Sequence, residues 1–115
     1  MRDVIKPVKK LMDAAGQAYT SAATAELYRR LIAEEVQEFI DAESEVEELD
    51  ACLDMFWVIA GFMVANGWLI HSAWDEVVRS NLSKIPADGV MLKREDGKFL
   101  KPKGYSKPEL DQFLK

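Results

Sequence analysis

Apolar residues recur at helical intervals through most of the first 82 positions, and each recurrence is bounded by residues that start or stop helices. Val4, Ile5, Val8, Leu11 and Met12 mark a short helix over residues 3–15. Pro7 falls in its first turn, where a missing N–H costs nothing. Ala15-Gly16-Gln17 ends it, and Thr20, Ser21 and Thr24 offer cap hydroxyls to the next. A second helix, from about Thr24 to Ala42, directs Leu27, Leu31, Val36, Phe39 and Ile40 toward a core. Ser44-x-x-Glu47 reads as a capping box, so a third helix begins almost where the second stops. Two helices joined this tightly form an antiparallel hairpin.

The third helix runs on through the uncharged stretch Met55 to Ala65 to an Asn66-Gly67 stop. Eleven uncharged residues fall well short of the roughly 20 that span a bilayer. A helix apolar all round is buried all round, yet a chain of 115 residues has few other elements to cover it. Trp57, Ile59, Phe62 and Met63 cannot all point into one small monomer. The expectation is therefore a four-helix-bundle-type core completed by a second subunit, as a homodimer or a dimer of dimers. Gly61 either admits a close helix approach or is a tolerated mid-helix defect.

A fourth helix is announced by Ser72-x-x-Asp75 and carries Trp74, Val77, Val78 and Leu82, with His71 in the loop before it. After Pro86 two short runs flank Asp96-Gly97 and read as a small β-hairpin, followed by an extended tail from Pro102. The expected class is all-α, with residues 1–85 as the helical body and 86–115 as a basic tail of the same domain.

Charge sharpens this picture. Ten carboxylates and no Lys, Arg or His lie between Glu34 and Asp54, whereas Lys84 to Lys115 holds eight basic residues against five acidic ones. The net charge of −5 argues against general binding to nucleic acid or to a membrane surface. An acidic body beside a basic tail suits a metal-chelated polyphosphate. One cysteine, Cys52, excludes an intrachain disulfide, and no signal-peptide pattern opens the chain, so a reducing cytoplasm is expected.

Six of the carboxylates fall at spacings that place them on helix faces: Glu34-Glu35-x-x-Glu38 and Glu47-x-x-Asp50-x-x-x-Asp54. Like charges this close repel unless a cation sits between them. In the hairpin, residues equidistant from the turn face one another. Glu38 and Asp50 both lie six from residue 44, and Glu35 and Asp54 lie nine and ten away. An oxygen-only ligand set without His or Cys suits Mg²⁺, with Mn²⁺ as a substitute. Glu47 is also explained as a helix cap, so whether Glu47 or Asp54 completes the set stays open.

With these motifs in hand, the chain resembles the MazG-like and phosphoribosyl-ATP pyrophosphohydrolase-like all-α nucleoside triphosphate pyrophosphohydrolases, and within them the short phage or mobile-element type. The resemblance rests on Arg30 to Glu38, on Asp50 to Trp57, on Ser80-Asn81-Leu82-Ser83-Lys84 and on the segment from Asp96-Gly97-Lys98 to Gly104-Tyr105. It implies a Mg²⁺-dependent hydrolysis of nucleoside triphosphates to monophosphates and pyrophosphate, in nucleotide-pool clearance or, alternatively, in histidine biosynthesis. A non-catalytic acidic dimerisation module is the reading from a different class. By the resemblance, Glu35 and Glu38 bind metal and one of them activates water. The family's second motif, Glu-x-x-Asp, is matched literally by Glu47 and Asp50, but the apolar run that normally follows it here follows Asp54; facing across the hairpin therefore favours Asp50 and Asp54 as the rest of the metal set, with Glu34 and Glu47 as alternates. Asn81, Lys84 and Arg79 would meet the leaving pyrophosphate, Lys98 and Lys101 would close over it, and Gln17 and Tyr19 would meet the base.

Overall fold

The computed structural model describes residues 3–17 and 20–114, and these group into two compact units, one up to Trp68 and one from Leu69. In the first unit, helix α1 spans Ile5–Ala14. Asp3 starts it: its Oδ1 accepts the N–H groups of Ile5 at 2.9 Å and Lys6 at 3.3 Å, two of the donors a helix start leaves orphaned. α1 buries Ile5, Val8 and Met12 and packs on α3. Val4 and Leu11, expected inside, stay exposed, because a single packing contact uses only the narrow i, i+3, i+7 stripe.

Helix α2 spans Ala22–Asp41, capped by Ser21, whose Oγ accepts the Thr24 N–H at 3.3 Å. Helix α3 spans Glu45–Ala65 and packs along α2 as the expected antiparallel hairpin. Ser44 caps α3 through the Glu47 N–H at 3.2 Å, while the Glu47 carboxylate takes the N–H of Glu43 at 2.9 Å. This is the capping box shifted back by one residue. Asn66 and Gly67 end α3, with Gly67 at φ 70°, a left-handed conformation that glycine adopts without strain.

Gly61 is explained here. A side chain at this position would overlap the ring of Tyr28, so the glycine lets that buried ring lie against the α3 backbone. Nearby, the Arg29 guanidinium covers the Phe62 ring at 5.1 Å, and Trp68 meets Phe62 edge-on at 5.7 Å.

In the second unit, helix α4 spans Ile70–Leu82 and a 3₁₀ turn spans Asp111–Phe113. The helix begins two residues before the anticipated Ser72 cap, so His71 is helical rather than a loop residue. No side chain caps it; the Ala73 N–H bonds to the Leu69 carbonyl, and the Leu69 N–H donates to the Phe113 carbonyl at 2.9 Å. The tail returns antiparallel along α4. Glu109 N–H donates to Glu76 at 2.8 Å, Arg79 donates to the Lys107 carbonyl at 3.2 Å, and Ser106 N–H donates to Ser83 Oγ at 3.0 Å. Arg79 also grips both Glu76 oxygens at 2.8 Å. With Arg79 first and the Glu109 N–H second, the Glu76 carboxyl is held down to about 2. Between α4 and this strap the chain makes a turn at Gly97 and one antiparallel bridge, Lys93 to Phe99; no longer strand forms among the described residues.

Candidate active site

The site grows from the register of the hairpin. On α2, steps of three and four carry Glu34, Glu35, Glu38 and Asp41 along one side; on α3 the same steps carry Glu47, Asp50 and Asp54. Ala51, small and buried, lets the helices close at this level. Glu38, Asp41, Glu47, Asp50 and Ala51 line a groove of about 280 Å³ near the turn. Asp41 was not anticipated, although its position three residues after Glu38 on the same face was the available signal. Both its oxygens accept from the Gln37 amide, at 3.0 and 3.1 Å.

The electrostatics identify the crowded point. Glu35 has one carboxylate oxygen, Oε1, closed off from solvent with no hydrogen-bond partner. Burial first, then a hydrogen bond with Glu38 and the charges of Glu38, Asp54 and Glu34, raise its pKa above the ordinary 4.5. No hydrogen-bond donor reaches Oε1, and the Glu38 carboxylate adds like charge beside it. Asp54 is likewise raised above 3.8, by burial first and then by Asp50 and Glu38. Charges from both helices are thus felt at one place. Among the described residues no ion pair joins these carboxylates to Lys or Arg.

A divalent cation fits this donor set on chemical grounds. The donors are all hard oxygens, one is a buried orphan, and a cation would offset the like charges gathered around it. As they stand, the carboxylates do not form a ready-made cage: among the described residues no group of three is arranged to hold a metal.

The remaining expected residues are distributed as follows. Gln17, half-buried after α1, accepts the Tyr28 hydroxyl at 2.9 Å; Tyr28 was not anticipated as a polar group. Tyr19 lies outside the described residues. In the second unit, Arg79 is engaged by Glu76 and Lys107, and the Asn81 amide donates to the Val77 carbonyl at 3.1 Å. Lys84 follows the end of α4, Lys98 sits after the Gly97 turn, and the Lys101 ammonium lies 5.2 Å over the Tyr105 ring.

No curated protein matches the chain. The family model described as phosphoribosyl-ATP pyrophosphohydrolase matches residues 3–81, which takes in α1 to α3 and all but the last residue of α4. Members of that family are typically dependent on a divalent metal. The chain belongs to the phosphoribosyl-ATP pyrophosphohydrolase family, nucleotide pyrophosphohydrolases within the MazG-like all-α superfamily.

Proposed function

We propose that this chain is a Mg²⁺-dependent nucleoside triphosphate pyrophosphohydrolase that cleaves (deoxy)nucleoside triphosphates to monophosphates and pyrophosphate, clearing the cytoplasmic nucleotide pool. The observation that carries the reading is the buried, partnerless Oε1 of Glu35 beside Glu38, with Asp54 close enough across the hairpin to raise the same carboxyl. A structural helix pair gains nothing from such a group, whereas a hydrolase of magnesium-bound polyphosphates needs one.

Glu35, Glu38, Asp50 and Asp54 would hold the ion, with Glu34 and Glu47 as alternates. When bound, Mg²⁺ (or Mn²⁺) supplies charge withdrawal from phosphate oxygens and a template for in-line attack. Glu35 or Glu38 orients a water and takes its proton as the water oxygen bonds to the α-phosphorus and the bond to the bridging α–β oxygen breaks. Asn81, Lys84, Lys98 and Lys101 are assigned to the departing pyrophosphate by donor chemistry and charge; Arg79, already gripped by Glu76, is the weaker candidate among these donors.

A phosphoribosyl-ATP substrate is the second reading, favoured by the description of the matching family model. Pyrophosphate release measured over all ribo- and deoxyribonucleoside triphosphates and phosphoribosyl-ATP, with and without Mg²⁺, decides between them. Release from phosphoribosyl-ATP alone selects the second reading, and no metal-dependent release from any of them leaves the docking-module reading.

The same proposal includes a homodimer or a dimer of dimers. On α3, Val46, Leu49, Leu53 and Phe56 are 78%, 61%, 55% and 64% exposed, and Ile40 on α2 is 65% exposed. Steps of three, four and three are the spacing of a self-pairing helix seam, and so long an apolar stripe marks an interaction surface. A second hairpin laid on the first makes a four-helix core. Of the residues expected to need a partner, Trp57, Phe62 and Met63 are half-buried within one chain, while Ile59 is exposed and continues this stripe one step beyond Phe56.

A further inference from the structure

Tyr28 is a buried titratable group that the hydrolytic reading does not use. Its ring fills the space that Gly61 leaves, and its hydroxyl donates to Gln17 Oε1 at 2.9 Å. Burial raises the phenol above its usual 10.0, against a smaller opposing effect of the Gln17 bond, so it remains a protonated donor. A carboxamide has one accepting end and one donating end. With its oxygen taken by a neutral tyrosine, Gln17 is fixed with its NH₂ as the end left to meet a ligand. The Gln17 backbone is anchored too, its N–H donating to the Met12 carbonyl at 3.0 Å.

The placement along the hairpin gives this group a role. Tyr28 and Glu35 are seven residues apart on α2, as are Asp54 and Gly61 on α3. The Tyr28–Gly61 layer therefore lies about two turns, roughly 10 Å, from the carboxylate layer along the same seam. That is the order of the reach from the α-phosphate of a nucleotide to the edge of its base.

We propose that Tyr28 is a positioning residue that presents the Gln17 NH₂ to the nucleotide base, so that the site selects bases with a keto oxygen at purine C6 or pyrimidine C4 over bases with an amine at that position. Guanine O6 and the O4 of thymine or uracil accept such a donor; the amines of adenine and cytosine oppose it. A site built around a fixed donor discriminates because the wrong base leaves two donors facing each other unpaired. The inference rests on the nucleotide reading above, and it assigns the substrate class that reading leaves open.

The test is equilibrium binding of dGTP, dTTP, dATP and dCTP to the full chain with Ca²⁺ in place of Mg²⁺, beside pyrophosphate release with Mg²⁺. The unmodified protein should favour the keto bases by roughly tenfold. Tyr28→Phe, which frees the amide to turn over, should bring the keto-to-amino ratio near one. Gln17→Glu, which offers only acceptors, should invert it. Gln17→Glu keeps the idea testable if Tyr28→Phe fails to fold. An unmodified protein without keto preference, or a ratio unchanged in the folded variants, overturns the inference. Keto-selective binding with no pyrophosphate release sinks the hydrolase reading alone; release with an unaltered ratio sinks this inference alone.

Discussion

The two ends of the α2–α3 hairpin are built to opposite specifications. Away from the turn, Tyr28 lies against Gly61, and Val58, Ala60, Val64 and Ala65 are buried. There the polar atom at the seam, the Tyr28 hydroxyl, has its acceptor. Near the turn, the same two helices gather carboxylates without cations, leave Glu35 Oε1 orphaned and turn an apolar stripe outward. One end is satisfied within a single chain; the other is not, and the proposal above completes it with an ion and a second molecule. A sequence tolerates local conflict of this kind where function requires it, and the conflict is confined to the end that the catalytic proposal uses.

The largest effect that sharpens this contrast is expected from Glu35→Gln. Loss of a supporting contact at a metal site typically costs 10- to 100-fold, so loss of a ligand should lower Mg²⁺-dependent pyrophosphate release by at least about 100-fold. The metal-free variant should nonetheless melt higher, because a partnerless buried charge is gone. The pH dependence carries the same sign. Glu35 and Asp54 have raised pKa values, so the folded chain binds protons more readily than the unfolded one. Metal-free stability should therefore fall as pH rises from the ordinary carboxylate range through the raised values, and Mg²⁺ should restore it above them. A Glu35→Gln protein that keeps its rate, or melts lower without metal, removes the distinction between the two ends.

Next comes the stripe. Leu53→Asp and Phe56→Asp should each cost assembly roughly 1.5–3 kcal/mol per subunit and shift sedimentation toward monomer. Phe62→Asp should instead unfold the chain, since Phe62 is held between Arg29 and Trp68. Unmodified protein that sediments as a stable monomer at micromolar concentration refutes the dimer.

Much of the hairpin was legible because its signals are local. Ser21, Ser44 and Asn66-Gly67 bound α2 and α3 within two or three residues of the positions their chemistry predicts. The facing of Glu35 and Asp54 followed from counting out from the turn. What failed to show depended on distant contacts. The start of α4 is satisfied by the Phe113 carbonyl, 44 residues later, which no cap pattern near Ser72 could reveal. Leu11 and Phe56 match the apolar period as well as their buried neighbours do, because periodicity fixes a face but not which partner covers it. The Tyr28–Gln17 bond joins α2 to the loop after α1, and nothing at either position marks the other.

The second-motif ambiguity offers a finer cut within the unsatisfied end. Glu47 already spends an oxygen on the Glu43 N–H, whereas Asp54 is raised by burial and by Asp50 and Glu38. Glu47→Gln should thus act mainly on stability, at roughly 0.5–2 kcal/mol for a lost cap, and Asp54→Asn mainly on turnover. An inactive Glu47→Gln at unchanged melting temperature, beside an active Asp54→Asn, would exchange the two roles.

The smallest effect lies in the second unit, where Glu76 is the satisfied counterpart of Glu35. It has two charge-assisted bonds from Arg79 and one from the Glu109 N–H, and its pKa is lowered to about 2 where that of Glu35 is raised. The sign of its pH dependence is therefore reversed. Its contribution is complete above the ordinary value of 4.5 and is lost as pH falls toward about 2. Because the Arg79 side of the pair is close to half exposed, the consequence should be local rather than global. Glu76→Gln should leave the melting temperature nearly unchanged while speeding hydrogen exchange at the Glu109 amide, and in the unmodified protein the same amide should exchange faster, relative to its neighbours, only below about pH 4. Equal protection of Glu109 in both proteins at neutral pH would show that the strap is held by Ser83 and Leu69 without help from the carboxylate.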